Sequence, residues 1–423
     1  MIKQLIKALS AAESIMGWLI EENATQAAQA FYVLQKLETT RLVDTKEYNI
    51  TVYREFSDNG NMCTGSSTFA LSHKLSNKEL ADKINEAAFA ASLIKNKRYD
   101  LVPGTKKRSW KQQSFGYEPL VLLDKIADVF FAETKSNLRF NSLELFHSKI
   151  TLHVVSSKGV DYKKTMHRMN IEAIPSFDGK DNKVELYRYL TYNKVDFDIF
   201  KNDAKTALQD VTSRYEAKAI KDVSKADVIL RDEDVRSLFE NLIDDYSYHS
   251  IYHKNTDKVI GDSIQKDVKG EYLTIALKPA SKADGFDRDG ILLSPINVID
   301  KGVIANYYGS NQYGQYLGIK ACGSLATIAV SKGKSSYAVM KNKPHLEIIA
   351  LSGIQIDMYS HYIGGEVRLA VYFDGKNYHP VSGFSFSGNI DKCLSSLQLS
   401  REMVTIQGYE GPKYLMLKDM EIL

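Results

Sequence analysis

The spacing of apolar positions changes period along the chain. Ile2, Leu5, Ile6 and Leu9 share one helical face and predict an opening helix. Residues 29–37 and 48–56 are instead rich in aromatic and β-branched side chains and predict strands. Ser57-Asp58-Asn59-Gly60-Asn61 then reads as a turn into a further strand over 62–71. Ser76 and Glu79 form a capping-box pattern, behind which Leu80, Ile84, Ala87, Ala88, Ala91 and Ile94 repeat at helical spacing. A third helix over 119–134 turns Leu120, Leu123, Ile126, Ala127 and Phe130 inward. Strands follow at 150–156 and 184–192, set off by turns at 157–159 and 178–182, and Ala204, Ala207, Leu208, Val211 and Tyr215 mark another helix.

A charged stretch at 216–225 separates this half from the next. Beyond it comes a short strand at 228–230 and an amphipathic helix over 232–244 with Val235, Leu238, Phe239 and Leu242 on one face. Strands then dominate, at 272–277, 325–330, 346–351, 367–373 and 378–381, with Asp374-Gly375 as a hairpin signal between the last two. The expected fold class is α+β, with an N-terminal mixed sheet and flanking helices over residues 1–222. Residues 223–423 form a strand-rich domain of barrel or sandwich type.

Length adds that 423 residues suffice for two or three domains, each with its own core. The 55 basic and 52 acidic residues give a net charge of +3, too small to generate a whole-molecule field for nucleic acid or an anionic membrane. The basic run Lys95, Lys97, Arg98, Lys106, Lys107, Arg108 and Lys111 is interleaved with Tyr99 and Trp110. It is broken by Pro103-Gly104 and is expected to be a solvated loop, with no direct nucleic-acid role. No segment approaches the roughly 18 apolar residues of a membrane span. Glu13, Glu21 and Glu22 interrupt the first apolar run before it could serve as a signal peptide. Cys63, Cys322 and Cys393 are too few and scattered for a disulfide framework, so each is expected to be a small buried hydrophobe in a cytoplasmic protein.

The densest stretch is 283–318, where Phe286-Asp287-Arg288-Asp289-Gly290 precedes Val298-Ile299-Asp300-Lys301-Gly302-Val303 and then a tyrosine- and glycine-rich segment from Tyr307 to Gly318. It is expected to form a strand, a turn, a strand and a long aromatic loop. This order of motifs resembles the second half of the TldD/PmbA family. So does the later Pro380-Val381-Ser382-Gly383 step followed by Gly388-Asn389 at a helix start. The N-terminal order, a strand ending at 155–161 and an Ala-rich helix over 203–219, is similar too. The motif positions carried over are Asp287, Asp289, Gly290, Gly302, Pro380, Gly383, Gly388 and Asn389.

In that family the catalytic subunit carries His-Glu-x-x-x-His, two zinc-binding histidines and a glutamate that polarises metal-bound water. The corresponding helix here, expected at 235–245, has Glu240 but no histidine. His249 and His253 follow, four residues apart, as weak metal candidates beside Tyr246, Tyr248 and Tyr252. No nucleophile elbow or phosphate-binding glycine loop is present. The resemblance therefore implies a PmbA (TldE)-like subunit with no catalytic residue and no cofactor of its own. It implies zinc on a TldD-like partner bearing His-Glu-x-x-x-His, and peptidase activity only in complex, on small unfolded or precursor peptides. Arg288, Tyr307, Tyr308, Tyr313 and Tyr316 are the expected peptide-chamber lining. The rival expectations are a homo-oligomeric binding or scaffold protein that has lost peptidase function, and an active enzyme using His249 and His253.

Overall fold

A computed structural model describes residues 1–423. The strands Gly17–Val33 and Lys36–Asp58 form a long antiparallel hairpin at the centre of a nine-stranded sheet. Asn61–Leu71 extends it on one side, Leu138–Ser156 and Asp161–Asp178 on the other. Side chains alternate across the sheet. Trp18, Ile20, Ile50 and Val52 face the helices Ile2–Ser10 and Asn77–Ala91, packing on Leu5, Leu9, Leu80 and Ile84. Farther along the same face, Phe140, Leu143, Met169 and Ile171 meet the helices Pro119–Phe131 and Phe197–Glu216. Ser76 caps Asn77–Ala91 with the reciprocal Ser76 and Glu79 hydrogen bonds of a capping box. The opposite face carries Leu19, Tyr53, Leu152, Val154 and Tyr162, which pack on Phe286 of the C-terminal half.

Two expectations for this half are corrected, and one long strand is additional to those expected. Residues 29–37 are not one strand, because Leu34 and Gln35 adopt positive φ (46° and 68°) and close the hairpin without a glycine or asparagine to announce it. The strand Asp161–Asp178 has no counterpart in the apolar pattern, since the buried positions 164, 165 and 167 are Lys, Thr and His. The basic run is not all loop: Arg108–Lys111 pairs in parallel with Tyr162–Thr165, which makes the sheet mixed as expected. Trp110 there packs 5.4 Å from the Phe286 ring.

In the C-terminal half, Lys225–Arg231, His345–Asp357, Tyr362–Phe373, Phe384–Asn389 and Tyr414–Ile422 each pair with the next, and the last with the first. This five-stranded barrel leaves no free edge among its own strands. A six-stranded sheet built from Ile275–Lys278, Ile296–Asp300, Val303–Ile304, Thr327–Val330, Met403–Ile406 and Tyr409–Pro412 lies against it. The barrel and this sheet share one core of 35 buried residues, into which the helix Glu233–Asp244 turns Val235, Leu238, Phe239 and Leu242. Glu240 stays exposed and bonds Arg236 at 3.1 Å. Asn389 caps the helix Ile390–Ser396 by accepting from the Lys392 amide, as the Gly388-Asn389 pair suggested. No helix is long and apolar enough to cross a membrane.

Candidate functional site

The Asp-Arg-Asp-Gly segment is a docking turn that fastens the C-terminal half to the first sheet. The Asp287 carboxylate accepts the amides of Asp289 (3.0 Å) and Ile291 (2.9 Å) on one oxygen and of Ser324 (3.1 Å) on the other, which fixes the turn from inside. Burial pushes the Asp287 carboxyl up, against the lowering effect of those amides. Gly290 has φ +91°, and a Cβ there would lie 2.8 Å from Val160, so the turn needs glycine for both backbone and space. Arg288 pairs with Glu21 on the N-terminal sheet and is therefore a strut between halves. Asp289, half-buried near Asp287 and Glu21, has its carboxyl raised to about 6, chiefly by desolvation.

Past this turn the expected aromatic loop is partly a helix, Asn311–Leu317, ended by Gly318 in the left-handed conformation. It packs beside the short helix Tyr248–Tyr252, whose first turn is capped by Ser247. His249 lies in that helix and His253 at its C-cap, and their rings are 4.6 Å apart. Tyr313 stands 5.1 Å from His249 and 5.8 Å from His253, edge-on to both. Tyr252 then contacts Tyr313 at 5.6 Å and Tyr316 at 5.1 Å. Tyr316 reaches across to the N-terminal half, donating to the Lys97 carbonyl at 2.6 Å with its ring 6.2 Å from Tyr99. Asn311 and Gln315 add hydrogen bonds to the Asp100 carbonyl (2.7 and 2.8 Å). The result is an exposed shelf of two imidazoles and three phenol rings, built where the two halves meet.

Only part of the expected chamber lining converges here. Tyr313 and Tyr316 join His249 and His253, whereas Tyr307 and Tyr308 pack on the C-terminal core and donate to the carbonyls of Lys258 and Ile243, each at 3.3 Å. Gly302 (φ +80°) turns between two strands, and Pro380, Gly383 and Gly388 lie in or beside barrel strands. These motif positions hold the fold. Tyr252, named from sequence only as a neighbour of the two histidines, is a member of the shelf, and Tyr99, from the run read as a solvated loop, is buried and braces Tyr316 from the N-terminal half. Apart from the contact of Tyr252 with the adjacent His253, their partners lie on distant segments, which the local sequence does not show.

As a zinc site the shelf is incomplete. Structural zinc takes four ligands and catalytic zinc three with one position open. His249 and His253 have only phenol rings beside them, and no group of three or more His, Cys, Asp or Glu side chains is placed to hold a metal. Cys322 lies elsewhere, its sulfur accepting the Gly309 amide at 3.2 Å, and burial pushes its thiol up.

Comparison with known proteins places the architecture. Over its whole length the chain superposes on TldE from Thermococcus kodakarensis with a TM-score of 0.81, 14% identity and 99% of that chain covered. It also superposes on a protein of Thermotoga maritima described as a modulator of a DNA gyrase (TM-score 0.77, 13% identity, 100% of both chains). A protein of Bacteroides thetaiotaomicron described in the same way gives a TM-score of 0.77 at 15% identity, with 100% of this chain and 98% of that one covered. No protein of curated description matches the sequence. Residues 223–423 match the PmbA/TldA metallopeptidase C-terminal domain. Residues 223–423 thus carry the PmbA/TldA metallopeptidase C-terminal domain, and the chain has the fold of TldE from end to end.

Proposed function

We propose that this chain is a TldE-like, non-catalytic subunit of a TldD-type zinc metallopeptidase that acts on small unfolded or precursor peptides. The observation that carries the reading is the His249 and His253 pair, which in a metallopeptidase-family domain is packed against Tyr252 and Tyr313 and has no third ligand. Zinc and the group that polarises its water would come from a partner with His-Glu-x-x-x-His. The aromatic shelf supports a peptide-holding role, because phenol and imidazole rings offer flat apolar area with polar rims and little rotamer entropy to lose. The three free cysteines suit a reducing compartment, and we place the protein in the cytoplasm.

The test is recovery of the tagged chain from its own host under mild conditions, followed by peptide hydrolysis with and without whatever co-purifies. Near-stoichiometric recovery of a relative carrying His-Glu-x-x-x-His, and hydrolysis only in the mixture, is the expected result. A homodimer without such a relative, and no hydrolysis after one is added, would overturn the proposal in favour of a scaffold.

A further inference from the structure

A cleft of about 490 Å³ opens between the two halves, on residues separate from the histidine shelf. Its N-terminal wall is an interruption in the edge of the first sheet. The strand Asp161–Asp178 is paired along that edge by Arg108–Lys111 up to Thr165 and by Arg188–Tyr192 from Met169 onward. Met166, His167 and Arg168 lie between and have no neighbouring strand there. Gln112 fills the break: its side-chain oxygen accepts the His167 amide at 3.0 Å, and its nitrogen reaches the Asn193 carbonyl at 3.4 Å. The C-terminal wall brings Lys278, Ser281, Lys282 and Glu410 against it.

The charges around this opening do not balance. Arg168, Lys278 and Lys282 supply three cations, and the single carboxylate, Glu410, is taken up by Lys278. Neither Arg168 nor Lys282 has an ion-pair partner, although the chain as a whole carries nearly equal numbers of acids and bases. Like charges on facing walls repel unless an anion lies between them. His167 is the neighbour of Arg168 in the strand, and its ring turns to the other face of the sheet, where His147 (5.8 Å, near-parallel) and Phe115 (5.9 Å) hold it, so the binding groups of the cleft are the two unpaired cations.

We propose that this cleft binds a small organic anion, carboxylate or phosphate, held between Arg168 on one half and Lys282 on the other. Arg168 suits a planar or tetrahedral oxyanion through its fork of donors, Lys282 supplies a point charge, and the volume suits a ligand the size of a short peptide. The inference does not depend on pairing with a metallopeptidase.

Isothermal titration calorimetry on the full chain tests it, with three probes: Gly-Gly-Glu, the same peptide blocked as Gly-Gly-Gln-amide, and inorganic phosphate. The expected result is binding of Gly-Gly-Glu or phosphate that weakens at least about tenfold in both Arg168→Gln and Lys282→Gln and falls with added salt. Lys221→Gln, which removes a cation elsewhere on the surface, should bind as the parent does. Preference for Gly-Gly-Glu over phosphate, lost in the amide, identifies a peptide carboxylate; preference for phosphate identifies a phosphate ester. No heat from either anion up to about 10 mM, or binding unchanged in both variants while their circular dichroism matches the parent, overturns the proposal.

Discussion

The Lys164 ammonium lies 2.6 Å from the Asp284 carboxylate and 2.6 Å from the Phe286 carbonyl, joining the first sheet to the docking turn of the C-terminal half. Both charged side chains are nearly buried, at 9% and 6% exposure. Removing one partner of such a pair leaves an uncompensated charge in a poorly solvated place, whereas removing both leaves mainly a packing change. Lys164→Met and Asp284→Leu alone should each lose roughly 3–5 kcal/mol of stability, and the double variant much less than their sum. Urea denaturation of the four proteins measures this, and an additive double variant would show that the pair does not act as a unit.

Phe286 is fully buried among Tyr53, Val154, Val160 and Tyr162, so the same turn also drives an apolar anchor into the first sheet. Phe286→Ala should cost about 3–5 kcal/mol, the usual range for truncating a buried phenylalanine. Trp110, whose ring is 5.4 Å from Phe286, is one of only two tryptophans and reports the site directly. Its fluorescence should shift to the red in the variant even where the fold survives; an unchanged spectrum would mean that the halves repack without a cavity.

Asp289 gives this junction a pH dependence. Its carboxyl is raised to about 6, so between roughly pH 4 and 6 the folded chain binds more protons at this site than the unfolded chain does. Stability therefore falls as pH rises through that window, by up to roughly 3 kcal/mol for the two-unit shift, and the penalty is fully present above it. Asp289→Asn should consequently be more stable than the parent at pH 7 and equal to it near pH 4. Thermal or urea melts across that range decide the matter, and an advantage that grows on acidification would contradict the assignment.

What the sequence shows of this fold depends on whether a signal is local. The Ser76 and Glu79 box, the Asn389 cap and the Asp374-Gly375 turn are complete within a few residues, and each stands where the pattern predicts. Asp161–Asp178 is hidden because its inward residue Lys164 is answered by Asp284, on a distant segment, so the apolar alternation breaks where the two halves meet. The helix Asn311–Leu317 is hidden for a different reason. Gly314 inside it reads as loop, yet its Cβ would lie 2.9 Å from the Ile319 carbonyl, so glycine serves close backbone packing there. The histidine shelf follows from neither signal, since the residue types of His249 and Tyr313 are evident in the sequence but their meeting is tertiary.

Two motif glycines separate conformational strain from crowding. Gly383 has φ +73° with nothing within 4 Å of a built Cβ, while Gly290 has φ +91° and Val160 at 2.8 Å. Gly383→Ala should cost about 1–2 kcal/mol for the left-handed backbone alone, and Gly290→Ala about 1–3 kcal/mol more for overpacking. Equal losses in denaturant midpoint would show that Val160 gives way freely. Val160→Ala in the Gly290→Ala background should recover part of the difference.

His249 and His253 provide the last discrimination. A complete site at one hundred times its dissociation constant would stabilise the fold by about 2.7 kcal/mol, whereas a two-imidazole site at its dissociation constant adds only about 0.4 kcal/mol. Only the first is large enough to move an unfolding transition visibly in a chain of 423 residues. Melting curves with micromolar zinc and with excess chelator should therefore coincide, for the parent and for His253→Ala alike. A zinc-dependent rise lost in His253→Ala, with stoichiometric metal in the purified parent, would instead make this chain a metal-binding subunit in its own right. In that case the phenol ring of Tyr313, edge-on to both imidazoles, would be the first side chain to test as a further ligand or gate.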